Sequence, residues 1–150
     1  INYKSNIFKK YIKNYENKFT IKNPEITFEY FNDLINFQLD GKYLLKNKED
    51  NFFFRFKGNK KNFEFYSSLD LDNSFLKFNE IQYSKNKNIP AKLEILVNNY
   101  DNGLVVEKMD FTETKNFISF KNLLLSDNLK ILSIWGLSTL YHCVDLTIGL

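Results

Sequence analysis

A chain of 150 residues with a net charge of +3 and a 17% aromatic share has the size of one domain, able to bury roughly 70% of its unfolded surface. The charge is too small and the lysines too scattered for a nucleic-acid footprint, and where lysines alternate with rings along a strand the two point to opposite faces. The single cysteine, Cys143, excludes an internal disulfide and any zinc site assembled from cysteines.

The chain begins at Ile1 and ends on Ile148-Gly149-Leu150 without a polar tail, so it reads as a piece of a longer polypeptide, and missing targeting signals say nothing about compartment. Residues 5 to 19 read as an amphipathic helix. Ser5 or Asn6 supplies the cap; Ile7, Phe8, Tyr11, Ile12, Tyr15 and Phe19 share one face; Lys9, Lys10, Lys13 and Lys18 cover the other. A basic helix of this kind can lie on a membrane surface, but the plainer reading is a plug at the end of a sheet. Asn23-Pro24 closes this region and launches the first strand, giving a helix and linker over residues 1–22 and a sheet over residues 23–150.

From residue 26 onward, apolar and polar residues alternate. Ile26, Phe28 and Tyr30 alternate with Thr27 and Glu29, and Ile35, Phe37 and Leu39 with Asn36, Gln38 and Asp40. Phe52, Phe54 and Phe56 are followed by Leu93, Ile95 and Val97, then Leu104 and Val106. Successive side chains of a strand point to opposite faces, so each segment carries one apolar and one wetted face. Turn chemistry separates the segments at Asp40-Gly41, Gly58-Asn59, Asp72-Asn73, Asn98 to Gly103 and Ser126-Asp127-Asn128. Asp40-Gly41 is the strongest of these hairpin signals. The stretch from Ile131 to Val144 is shorter than the ~20 apolar residues of a membrane-spanning helix. With Gly136 near its middle it reads as strand, turn, strand. The fold class is therefore mainly β: an extended, curled antiparallel sheet, a meander or β-groove, with one N-terminal amphipathic helix.

Chemistry-bearing groups are sparse. His142 and Cys143 are adjacent, and neighbours on a strand face opposite ways, so they do not form a nucleophile–base pair. No glycine-rich phosphate loop is present. Asp70 and Asp72 share a strand face, but no histidine or further carboxylate follows nearby to complete a metal or acid–base site. Trp135 beside Gly136 reads as a core anchor. The expectation is a non-enzymatic protein without cofactor or metal.

The middle of the chain carries a resemblance. It runs through Phe54-Arg55-Phe56-Lys57-Gly58, Asn62-Phe63-Glu64-Phe65 and Leu69-Asp70-Leu71-Asp72-Asn73-Ser74, then a hydrophobic strand. Ile81 through Tyr83, Lys85, Asn88 and Pro90-Ala91 to Leu93 follow, then Met109-Asp110-Phe111 and Ile118-Ser119-Phe120-Lys121-Asn122-Leu123. This order resembles the AsmA/YhdP-like proteins of Gram-negative bacteria, over roughly residues 48 to 135. In that family a turn with lysine, glycine, proline and alanine leads into a strand of a repeating sheet; here Asn88 takes the place of the glycine. Residues 5–19 and 137–150 fall outside it.

The resemblance implies a bridge-like lipid-transfer protein, anchored in the inner membrane by a segment outside this chain and crossing the periplasm. Its partners would be phospholipid acyl chains and neighbouring β-repeats of the same polypeptide, with a role in outer-membrane assembly. The candidate groove-lining residues are Phe28, Phe37, Phe54, Phe56, Phe65, Phe78, Leu93, Ile95, Val97, Leu104 and Val106. Alternation alone does not separate a lipid face from the dry core of a closed sandwich or barrel. The competing reading is a compact protein-binding module, immunity-protein or pilin-like, with no groove.

Overall fold

The computed structural model describes residues 2–3, 11–13, 19–45, 47–78, 82–100, 103–125 and 131–140. It is mainly β and antiparallel. The strands are β1 (Asn2–Tyr3), β2 (Phe19–Phe31), β3 (Leu34–Leu45), β4 (Lys48–Gly58), β5 (Phe63–Asp70), β6 (Leu76–Phe78), β7 (Tyr83–Lys85), β8 (Ala91–Tyr100), β9 (Gly103–Glu113), β10 (Asn116–Leu125) and β11 (Ile131–Leu140). Nine of them form one sheet in the order β1-β2-β3-β4-β5-β8-β9-β10-β11, and β6 and β7 pair separately. Each strand of the large sheet pairs with its sequence neighbour, except that β5 reaches past β6–β7 to β8. The first and last strands do not meet, so the sheet is open.

Register carries the alternating pattern across the whole sheet, because directly opposed residues share a face. Phe28 lies opposite Phe37, Phe37 opposite Phe56, Phe56 opposite Phe65, Phe65 opposite Val97, Val97 opposite Val106, and Val106 opposite Leu123. The other face is charged. Arg55 pairs with Glu64 at 2.8 Å, Lys92 with Glu94 at 3.0 Å, and Lys108 with Asp110 at 2.9 Å. The Tyr66 hydroxyl donates to Glu94 at 2.9 Å and the Ser119 hydroxyl to Asp110 at 2.6 Å. Lys92, then Tyr66, hold the Glu94 carboxyl below its ordinary pKa. Burial pushes the Asp110 carboxyl up, but Ser119 and Lys108 outweigh it and the net shift is downward.

Several sequence expectations change. Asp40-Gly41 is not a hairpin turn; it sits inside β3, and the β2–β3 turn is Asn32-Asp33, both left-handed at φ 49° and 62°. Two consecutive left-handed residues are what a two-residue hairpin requires, and Asn and Asp tolerate that region. Gly41 (φ 154°) answers to the neighbouring strand. A β-bulge between Lys22 and Glu25 brings the Lys22 and Asn23 carbonyl oxygens to 3.1 and 3.2 Å of where a Cβ would stand. Pro24 lies within that bulge, where a strand tolerates a missing N–H, so it does not launch the first strand.

No helical element is present among the described residues. Most of the expected helix over 5–19 lies outside them. Of the rest, Ile12 forms an isolated antiparallel bridge with Leu76, and Phe19 opens β2 opposite Tyr3. The part of residues 1–22 that is described therefore includes sheet. Ile131–Leu140 is one strand, with Gly136 paired to Lys121 rather than turning the chain. Asn98 and Asn99 belong to β8, whose last residue, Tyr100, pairs with Gly103. The Gly58-Asn59 and Asp72-Asn73 turns stand where the sequence places them. At the first, the Asn59 carboxamide oxygen accepts the N–H groups of Lys61 and Asn62. Residues 126–130 and 141–150, with Ser126, His142 and Cys143, lie outside the described residues.

Candidate functional site: an apolar sheet face

Ten of the eleven candidate residues lie on one face of the large sheet. Phe28, Phe37, Phe56, Phe65, Val97 and Val106 form a single cross-strand row. At ~4.8 Å per strand this row, extended to Leu123, spans about 30 Å perpendicular to the strands. Phe54 and Ile95 belong to the adjacent row with Ile26, Leu39, Ser67, Met109 and Phe120. Leu93 lies one row further, with Leu69, Phe111 and Ile118. Leu104 lies on the other side, in a row with Tyr30, Ile35, Phe63 and Leu125. The rings of Phe54 and Phe65 stack at 6.1 Å, and Phe56 and Phe63 approach at 5.2 Å.

This face is wetted at one side and sinks toward the other. Phe28 is 62% exposed, Phe37, Phe56, Phe65 and Val97 are half-buried, and Val106 and Leu123 are buried. Ile26 and Tyr30, beside Phe28 on β2, are also exposed. A register shift between Leu96 and Val97 keeps Ile95 and Met109, then Val97 and Val106, on the same side. Bulges of this kind bend a strand and increase its local twist.

Phe78, the eleventh residue, is on β6 rather than in the large sheet. Its ring stacks on Tyr11 at 5.3 Å and meets Tyr83 at 6.0 Å. β6–β7 and the Tyr11–Ile12 stretch form a roof over one end of the apolar face. Leu71, Leu76, Tyr83 and Ala91 form a buried cluster there, against which Ile12, Phe78, Leu93 and Phe111 pack. A second cluster, Tyr43, Leu45 and Phe52, adjoins it through Ile12 and Leu69.

A buried polar knot rivets the roof to the sheet. Lys85 is fully buried, and its ammonium donates to the carbonyl oxygens of Leu71 (2.7 Å), Asp72, Ser74 and Asn86 (each 3.1 Å). Burial pushes the Lys85 pKa down, with Glu113, Asp72 and Asp50 opposing. Asp72 accepts the Ala91 N–H at 2.9 Å, and its carbonyl accepts the N–H of Asn88. Asn88 stands at φ 62°, the left-handed conformation that a glycine would take there. The Tyr83 hydroxyl donates to Glu113 at 2.6 Å. Asp50 is buried and accepts from the backbone and side-chain N–H groups of Asn73. The Lys85 to Ala91 turn is thus structural.

Asp70 and Asp72 do not face one another as a couple: Asp70 accepts from Asn51 at 2.8 Å and closes β5, whereas Asp72 is in the following turn. Among the described residues no three His, Cys, Asp or Glu side chains gather as a metal site, and no helix is long and apolar enough to cross a membrane. Strand rhythm alone does not assign Met109, Phe111, Ile118, Phe120 and Leu123 to this apolar face. Their own alternation was readable, but which parity joins Val106 across a register shift was not.

The arrangement defines a class: an open antiparallel meander with one apolar and one charged face, partly roofed. No family model, no curated protein and no solved structure matches this chain.

Proposed function

We propose that the chain is a segment of an AsmA-like periplasmic protein that carries phospholipid acyl chains along the apolar trough between inner and outer membrane. The observation that carries this reading is the apolar surface running across the strands from Phe28 to Val97 on an open sheet, which no element among the described residues roofs. Soluble monomers rarely leave apolar patches above a few hundred Å² uncovered. Burying a methylene is worth about 0.8 kcal/mol and needs no directional contact, so a phenylalanine-lined wall suits a cargo that slides. The edge strands of an open sheet suit neighbouring β-repeats, and membrane anchorage belongs to a segment beyond this chain. The competing protein-binding module expects a closed core, which an open sheet does not favour.

Native mass spectrometry of the purified chain, followed by organic extraction, tests the reading. Phospholipid should co-purify in stoichiometric amount and be lost in Phe54→Asp/Phe56→Asp protein whose circular dichroism still reports a sheet. A ligand-free wild-type chain that also takes up no phospholipid from vesicles would sink the proposal.

A further inference from the structure

The roof does more than cover the trough at one end. Between Ile12, Leu76 and Phe78 above and Leu93, Phe111 and Ile118 below lies a cavity of about 410 Å³, within the ~300–1,000 Å³ range of ligand cavities. Of its lining side chains among the described residues, only Tyr11 carries an oxygen or nitrogen. Met109 and Phe120 also line it and belong to the row next to Val97, Val106 and Leu123, so the cavity adjoins the trough. On its far side the next cross-strand row is Ala91 and Glu113, both buried, with Glu113 bonded to Tyr83. The cavity therefore borders the apolar rows of the trough on one side and, on the other, a carboxylate already bound to a phenol.

We infer that this chamber is a stop that receives the methyl end of a single hydrocarbon tail, whose polar end lies outward in the trough. The inference rests on the reading of the trough as an acyl-chain carrier and adds a direction to it. A charged or phosphorylated head brought inside would lose its water and meet no cationic partner among these side chains, with the Tyr11 hydroxyl as their one N–H or O–H group, a cost of several kcal/mol. A tail end has no such demand, and the unbranched thioether of Met109 lets the floor adjust to its width.

The test uses the full chain with Trp135→Phe and a reporter indole placed by Phe120→Trp, with Met109→Trp as a second reporter on the same floor. A control reporter, Phe28→Trp, sits at the open side of the trough. The probes are dodecanoic acid brominated at its terminal carbon and the same acid brominated beside the carboxylate, since bromine quenches indole fluorescence at contact. Terminal bromine should quench the chamber reporters several-fold more strongly than bromine beside the carboxylate. Equal or reversed quenching would overturn the chamber's orientation and the proposal with it. Quenching confined to the Phe28→Trp protein would overturn the chamber and leave the trough standing. Quenching at no position would remove the trough reading as well.

Discussion

Lys85 and Asp50 show how single residues hold a roof on a sheet that has little conventional core. Lys85 ties four carbonyl oxygens around one ammonium, and Asp50 ties Asn73 into the same turn region. Burial raises the Asp50 pKa above its ordinary 3.8, with Asn73 opposing. A carboxyl whose folded-state pKa is raised favours the folded state most when protonated, below the unfolded value, and loses that contribution as pH rises through the folded value. Wild-type stability relative to Asp50→Asn protein should therefore rise as pH falls from 7 and level off below 3.8. Urea denaturation of both proteins across that range measures it, and a parallel pair of curves would contradict the assignment. The comparison cancels Glu94 and Asp110, whose lowered pKa values act in the opposite sense. None of this was legible beforehand. Lys85 in a turn reads as a solvated charge; its burial depends on Leu71, Asp72 and Ser74 folding back over it.

At the scale of the element, alternation was readable and turns were readable only in part. Phe52, Phe54 and Phe56 of β4 and Leu93, Ile95 and Val97 of β8 announce one apolar face each, and the structure places them together. Asp40-Gly41 misled because its glycine serves the Pro24 bulge in the adjacent strand, a contact between segments that local chemistry does not reveal. Asn32-Asp33, a poorer hairpin dipeptide on paper, turns the chain because the Phe28–Phe37 register leaves only those two residues to do so. Asp33→Gly should then stabilise the protein by up to about 1 kcal/mol, since glycine occupies positive φ without strain. The exposed Tyr30–Asp33 hydrogen bond it removes contributes little. A higher urea midpoint with an unchanged slope checks this; a lower midpoint would show that the Asp33 side chain matters more than its backbone. The helix expected over 5–19 illustrates the opposite limit: helical spacing of Ile12 and Phe19 is no bar to each joining a strand partner.

For the whole molecule, openness has a cost in solubility. Ile26, Phe28, Tyr30 and Phe31 are each more than half exposed on β2, and among the described residues that strand's outer side is paired only at its start, by β1. Unpaired edges bearing apolar side chains are templates for association. The isolated chain should self-associate with rising concentration, and Phe28→Lys should weaken that association at least about tenfold, worth ~1.4 kcal/mol, without altering the circular dichroism. Sedimentation velocity over a concentration series decides it. A wild-type chain that remains monomeric throughout would show that the edge is protected.

The detour of the chain through β6 and β7 also bears on how the molecule comes into being. Within β2–β5 and within β8–β11 each pairing joins consecutive strands, so hairpins can zip one after another with small loops to close. Joining β5 to β8 is different, because the two strands are separated in sequence by the β6–β7 detour. Loop-closure entropy grows only slowly with length, about 0.6 kcal/mol per doubling, but this step has no zipper to follow. Two meanders that form early and a late clasp through Lys85 would give folding kinetics with a distinct final phase, in which substitutions at the clasp change how fast the halves part far more than how fast each half assembles.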